Sequence, residues 1–142
     1  MAASQQFCSF FLDGMFFGVE VEKVQEVIRP QETTRVPLSP EVIGGLINLR
    51  GQIVTAVDLR KRLQLPERNA GNEPMNVVVR TEEGAVSLLV DEIGDVVEVE
   101  QQQFEPPPDT LHATTREMIR GAFKLNERLL LLLDTESVIK TG

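Results

Sequence analysis

Few residues of this chain are equipped for covalent chemistry. His112 is its only histidine and Cys8 its only cysteine. A Ser-His-Asp or Cys-His arrangement needs a nucleophile within hydrogen-bond reach of a base that a third group orients. His112 lies in a proline-rich stretch, so either arrangement would have to join it to Cys8 or to a serine far off in sequence. Cys8 reads instead as a small apolar strand residue and His112 as a solvated loop residue. Gly44-Gly45 lacks the Lys-Ser/Thr that completes a phosphate-binding loop, and no glycine fingerprint for a dinucleotide follows a strand. Asp91, Glu92 and Asp95 cluster without the loop glycine and terminal glutamate of a calcium site. An acid-rich chain holds carboxylate pairs by composition alone, so these single out no hydrolytic site. The sequence predicts no catalytic residue, no cofactor and no metal.

What remains is surface for partners, and Glu26 and Arg50 are its most telling polar residues. They fall near the groove that two related halves would leave between them, and Arg50 is replaced by Asn126 at the matching place of the second half. Two readings stand side by side: an intramolecular ion pair holding a strand to a hairpin, or a partner contact. The Arg60-Lys61-Arg62 run reads as the solvated face of a short helix.

The elements that position these residues occur twice. Ile43 to Leu59 (IGGLINLRGQIVTAVDL) matches Ile119 to Thr135 (IRGAFKLNERLLLLLDT) at a constant offset of 76, setting Gly45 on Gly121, Leu49 on Leu125 and Asp58 on Asp134. Val21 to Ile28 matches Val90 to Val97 at an offset of 69. The change of offset places an inserted loop in the second half, where Pro106-Pro107-Pro108 lies. Two copies are too few for a solenoid. With 142 residues, 42% of them hydrophobic, the chain can build one sizeable core and hardly two. The expectation is a single domain, residues 1–142, in which a first sub-barrel over about 13–70 and a second over about 75–142 share apolar surface, with the N-terminal strand shared between them.

Asp13-Gly14 supplies the positive φ angles of a two-residue hairpin turn, pairing Gln6 to Leu12 with Met15 to Val19. Residues 21–28 read as a short helix running into a strand. Ser39-Pro40-Glu41 opens a short helix that Gly44-Gly45 ends, and Asp58 caps another that Pro66 stops. Strands are expected over Leu46 to Arg50, Gln52 to Val57, Met75 to Arg80, Ala85 to Val90, Val96 to Glu100, Ile119 to Leu125 and Leu129 to Leu133. Gln101 to Thr114 reads as an exposed loop, since its prolines cannot sit inside a sheet. Asp134 repeats the capping role of Asp58. The five leucines of 129–133 lack polar alternation, so that strand is predicted to be buried on both faces.

Net charge is −8, and all of it comes from residues 71–142, which hold six basic and fourteen acidic side chains against eight of each in residues 1–70. Nucleic acid is excluded as a partner, because phosphate binding needs a basic face. One cysteine allows no intramolecular disulfide, the N-terminus lacks the basic start and apolar run of a secretory signal, and the longest apolar run cannot span a bilayer. A cytoplasmic protein without membrane insertion is expected.

These stretches resemble the CheW-like family of chemotaxis coupling proteins. FFGVEVEKVQEVIRPQETTRVPLSPEVIGGLINLRGQIVTAVDLRKRL is similar to the family's first half nearly throughout, notably in V-x-E-V, the V-P loop, P-x-x-I-x-G, N-L-R-G-x-I-V and D-L-R. LLVDEIGDVVEV and IRGAFKLNERLLLLLD resemble its second half. Thr55 departs from the family, which often has proline there. The resemblance implies an all-β fold with short helices, two related five-stranded SH3-like barrels on a shared core. It also implies a non-catalytic adaptor that joins the cytoplasmic tip of chemoreceptors to the regulatory domain of the chemotaxis histidine kinase, recruited to membrane-associated receptor arrays. On that footing Glu26, Arg50, Val24, Val27 and Gly45 are the expected receptor contacts, and Val36, Leu38 and Ile43 the expected kinase contacts. An enzyme or small-molecule-binding protein using the inter-barrel groove, and a regulatory domain detached from a kinase, are the alternatives. Met1 and the short tail after Asp134 favour a free-standing adaptor.

Overall fold

The computed structural model describes residues 4–35, 43–67 and 71–139. Its first element is the expected hairpin: β1 (Ser4–Leu12) and β2 (Met15–Glu20) turn on Asp13 (φ 50) and Gly14 (φ 79). Positive φ at both central residues matches the turn's twist to that of the strands. A single 3-10 turn, Val21–Lys23, leads into β3 (Val24–Ile28). β4 (Ile43–Leu49) and β5 (Gln52–Asp58) turn on Arg50 (φ 52) and Gly51 (φ 86). Gly44 and Gly45 therefore lie inside a strand rather than ending a helix, and the helix expected from Ser39 falls outside the described residues.

Asp58 caps α1 (Leu59–Arg62) as predicted, its side chain accepting from the backbone N–H groups of Arg60 and Lys61. β6 (Met75–Thr81) and β7 (Gly84–Val90) form the next hairpin, followed by β8 (Glu92–Glu100). The expected loop after β8 holds more order than its prolines suggested. A 3-10 turn, Gln101–Gln103, is followed by the two-residue strand β9 (Phe104–Glu105), which pairs before the prolines begin. α2 (Ala113–Glu117) precedes the last hairpin, β10 (Ile119–Lys124) and β11 (Leu129–Leu133). α3 (Thr135–Ile139) ends the described chain, and Asp134 Oδ1 accepts from the Ser137 N–H.

The strands form a six-stranded sheet, β8-β1-β2-β11-β10-β9, and a five-stranded sheet, β3-β6-β7-β5-β4. Sheet membership departs from the expected boundary near residue 70. β1 and β2 complete the sheet built from the end of the chain, while β6 and β7 complete the sheet built from β3, β4 and β5. Each half thus gives its first hairpin to the other. The registers obey the sequence offsets throughout. Phe10↔Ile93 and Val79↔Val24 are equivalent at 69, each beside a bulge, and the parallel pairs Leu131↔Phe17 and Thr55↔Val86 combine 76 with 69.

Both barrels close in the same way. Thr34 bridges to Leu46 after β3, and Glu105 of β9 pairs with Ala122, the counterpart of Leu46. The closing segment passes directly over a glycine in each case. A Cβ on Gly45 would lie 2.7 Å from the Thr34 carbonyl oxygen, and one on Gly121 would lie 2.8 Å from that of Glu105 and overlap the Phe104 ring. This close approach is the physical reason the repeat keeps glycine at both places.

Three apolar clusters fill the molecule. One, with Phe10, Phe17, Leu131 and Leu133 against Val57, Leu63, Val77 and Leu88, lies between the two sheets. A second, around Phe7, Phe123, Leu130 and Leu132, sits inside the six-stranded barrel. A third, around Ile47, Val54, Val78 and Leu89, sits inside the other. The leucines of β11 alternate between the first two clusters, so the strand is buried on both faces, as its composition required.

Candidate functional site

Arg50 and Glu26 meet. Arg50 Nη1 donates to Glu26 Oε2 at 2.8 Å and Nη2 to Oε1 at 2.6 Å, the parallel fork geometry of a strong arginine-carboxylate pair. The carboxylate is half-buried on β3 and the guanidinium is exposed at the tip of the β4-β5 hairpin. Asn48 Oδ1 accepts the Gly51 N–H at 2.8 Å and so braces the turn. Arg50 adopts a left-handed backbone that glycine, asparagine or aspartate ordinarily occupies, and strain of this kind concentrates at functional positions. The arginine hydrogen bond, above all, holds the Glu26 carboxyl below the usual glutamate range, and Glu26 raises the Arg50 guanidinium in turn.

The other expected contacts divide around this pair. Val27 is exposed on the face of β3 opposite to Glu26, and Ile53, which the sequence reading passed over, is exposed just past the turn. Val24 turns inward and packs against the core between the sheets, while Arg80 Nη1 donates to its carbonyl. Gly45 is buried beneath Thr34, so its contribution is to barrel closure. Ile43 is half-buried against the same central core, and Val36 and Leu38 lie outside the described residues.

The basic run after Asp58 is not the solvated face that was expected. Arg60 donates through Nε to Asp91 Oδ1 at 2.9 Å and through Nη2 to Asp91 Oδ2 at 2.5 Å, and its Nη1 reaches the Pro66 carbonyl at 2.7 Å. Asp91 also accepts the Asp13 N–H, which ties α1, the first hairpin turn and the β7-β8 junction together. Arg62 donates to the Ser137 and Val138 carbonyls at the end of α3. Only Lys61 of the run is exposed. The single available signal was the pairing of α1 with α3 implied by the repeat; charges this far apart in sequence carry no marker of their own.

A hollow of about 610 Å³ beside Arg60 is lined by Asp13, Glu67, Glu73, Asp91 and Glu92. It offers carboxylates and an arginine already engaged by Asp91, with neither Cys8 nor His112 on its wall. Burial pushes the Cys8 thiol up, which disfavours the nucleophilic thiolate. Among the described residues no group of three or more His, Cys, Asp or Glu is placed to hold a metal ion, and no helix is long and apolar enough to cross a membrane.

The CheW-like domain family matches residues 6–142. The chain belongs to that family. A protein of Bacillus subtilis strain 168 named chemotaxis protein CheW is 33% identical over 130 residues, covering 92% of this chain and 83% of the relative. Another of that name, from Klebsiella aerogenes, is 30% identical over 137 residues, covering 96% and 82%. The crystal structure of the scaffolding protein CheW of Thermoanaerobacter tengcongensis superposes with a TM-score of 0.87 at 25% identity, over 99% of this chain and 95% of that one. The paired SH3-like barrels are therefore the CheW-like architecture, and the chain is a scaffold of the chemotaxis signalling system.

Proposed function

We propose that this CheW-like chain is a non-catalytic adaptor that holds the helical cytoplasmic tip of a chemoreceptor beside the regulatory domain of the chemotaxis histidine kinase, on receptor arrays at the membrane. The observation that carries the reading is the Glu26–Arg50 pair, a charge fork on a strained turn, with Val27 exposed on β3 and Ile53 exposed on β5, the strands that flank it. An ordered ion pair with exposed apolar side chains on the neighbouring strands suits one face of an amphipathic helix. The kinase-facing surface is assigned to Val36, Leu38 and Ile43, and the receptor-facing surface to Glu26, Arg50 and Val27, with Val24 and Gly45 supporting it from beneath. Coupling follows from holding both partners at once. Several weak contacts in an array gain through effective concentration, and a signal passes only where the complex favours one receptor state over another.

Binding of the purified chain to a receptor cytoplasmic fragment, and separately to a kinase regulatory domain, tests this. Arg50→Asn is the informative variant, because it removes the cation while placing there the residue that the second half carries at Asn126 and that tolerates a left-handed turn. Arg50→Asn is expected to stay folded with only a small fall in melting temperature and to keep kinase binding, while weakening receptor binding about tenfold or more. Val36→Asp is expected to do the reverse. A folded protein that binds neither fragment would defeat the adaptor reading.

A further inference from the structure

The chain passes between the two sheets twice, through Val21–Lys23 from β2 to β3 and through Asp91 from β7 to β8. The repeat relates the two crossings, yet they are held differently. Arg60 forks onto Asp91, whereas the second half has Glu136 at the place of Arg60, an acid that accepts the Glu82 N–H and offers Glu22 no counter-charge. Val21–Lys23 is a single 3-10 turn with no buried residue and no side-chain cap. Among the described residues its side-chain ties are the Lys23–Glu20 ion pair at 3.8 Å and Arg80 Nη1, which donates to the Glu22 and Val24 carbonyls at 3.1 and 3.3 Å. Val19-Glu20-Val21-Glu22 alternates apolar and charged residues, and no glycine, proline, asparagine, aspartate or serine occurs from Val19 to Ile28. The local preference at this crossing is therefore for an extended strand, against the turn that it adopts.

The hairpin ahead of this hinge is held by residues beyond it. β1 pairs with β8 and β2 with β11; Phe7 and Phe16 lie in the cluster inside the six-stranded barrel, and Phe10, Leu12, Phe17 and Val19 in the cluster between the sheets. A second copy of the chain offers the same strands and the same clusters, so each of these contacts can be made between copies. Straightening Val21–Lys23 joins β2 and β3 into one strand and carries the hairpin out of its own barrel. We propose that two copies exchange residues 4–20 in this way, giving a closed dimer of two complete lobes, each built from β3 to β11 of one copy and the hairpin of the other. The occupant is a second copy because a released hairpin exposes Phe7, Phe10 and Phe17, all fully buried in the closed chain, and the chain's own β8 and β11 already fit them. Each lobe keeps a Glu26–Arg50 turn, so the dimer is a scaffold with two heads. The proposal does not rest on the adaptor reading, and its test needs no partner.

The hairpin leaves only when both of its strand pairings break, so monomer and dimer interchange through unfolding, and the test starts from unfolded chain. Wild type is refolded from urea at about 1 μM and at about 1 mM and sized by chromatography with light scattering; the dimer fraction is expected to rise at least about tenfold with concentration. Co-refolding of unlabelled and isotope-labelled chain is expected to yield mixed dimers, and mixing the two after folding to yield none. Inserting Gly-Gly-Ser after Glu22 lets the hairpin fold back on its own barrel without strain, and is expected to lower the dimer fraction at least about tenfold. In the Cys8→Ser chain, Gln6→Cys with Glu98→Cys sets two exposed thiols directly across β1 and β8. Oxidised dimer is expected to run at twice the chain's mass without reductant, and oxidised monomer at the single mass. A chain that stays monomeric at both concentrations would overturn the proposal, as would an insertion variant that dimerises like wild type. So would dimers that mix after folding or carry their cross-links within one chain, since either marks closed monomers associating by their surfaces. The labelled wild type decides alone where the cysteine variant fails to fold.

Discussion

At the scale of single residues, the Glu26–Arg50 fork makes a signed prediction about pH. The folded-state pKa of Glu26 is depressed by Arg50, so the pair's contribution to stability is present above the unfolded glutamate pKa, about 4.3, and is lost as pH falls through the lower folded value. Urea midpoints of wild type and Glu26→Gln are expected to differ at neutral pH and to converge in acid; a gap that widens in acid would show that the pair is not what holds the carboxylate. Gly45 makes a sharper demand. With φ at +138 and the Thr34 carbonyl oxygen 2.7 Å from where a Cβ would stand, Gly45→Ala is expected to lose about 1–3 kcal/mol in urea unfolding. Asp91 joins three segments through Arg60, whose side chain is only 13% exposed, so Asp91→Ala is expected to lose about 1–3 kcal/mol, against almost nothing for Glu22→Ala at the equivalent exposed position of the first half.

At the scale of elements, the sequence made some features legible and hid others for physical reasons. The repeated Gly45 and Gly121 were visible because a backbone crossing leaves no room for any side chain, and the leucines of β11 because burial on both faces forbids alternation. The Asp13-Gly14 turn announced itself through its φ requirement. The exchange of hairpins left no mark, because β1-β2 and β6-β7 share register and alternation but few residues, one rich in phenylalanine and the other in valine. Apolar alternation says that a strand has a buried face and not which strands will cover it. β9 was hidden by its length, two residues ahead of a proline run. In the candidate site, the pairing of Glu26 with Arg50 was readable as one of two options, whereas the burial of Val24 and Gly45 depended on the bulges that turn their side of the strand inward. β11 also predicts its own mutational cost. Leu131 lies in the cluster between the sheets, so Leu131→Ala is expected to lower stability by about 2–5 kcal/mol in a single urea transition, with both barrels melting together.

At the scale of the whole molecule, the reciprocal hairpins make the two halves of the sequence inseparable while leaving the connection between them dispensable. Residues 4–20 complete the barrel made by residues 92–133, and residues 75–90 complete the barrel made by residues 24–58. The halves therefore hold each other through two sets of strand pairs, β1 with β8 and β2 with β11 on one side, β3 with β6 and β5 with β7 on the other, in addition to the apolar cluster between the sheets. A protease site placed at residues 68–70, cut after folding, should leave two fragments that migrate as one species in size-exclusion chromatography and still bind the receptor fragment. Separation would require breaking both sheets at once, so the nicked protein is expected to come apart only across the same cooperative urea transition in which it unfolds, shifted to a lower midpoint because the cut chain gains entropy when the fragments part. Fragments that separated in native buffer would mean that each half keeps its own hairpin, and the pairing of β2 with β11 and of β5 with β7 would have to be abandoned.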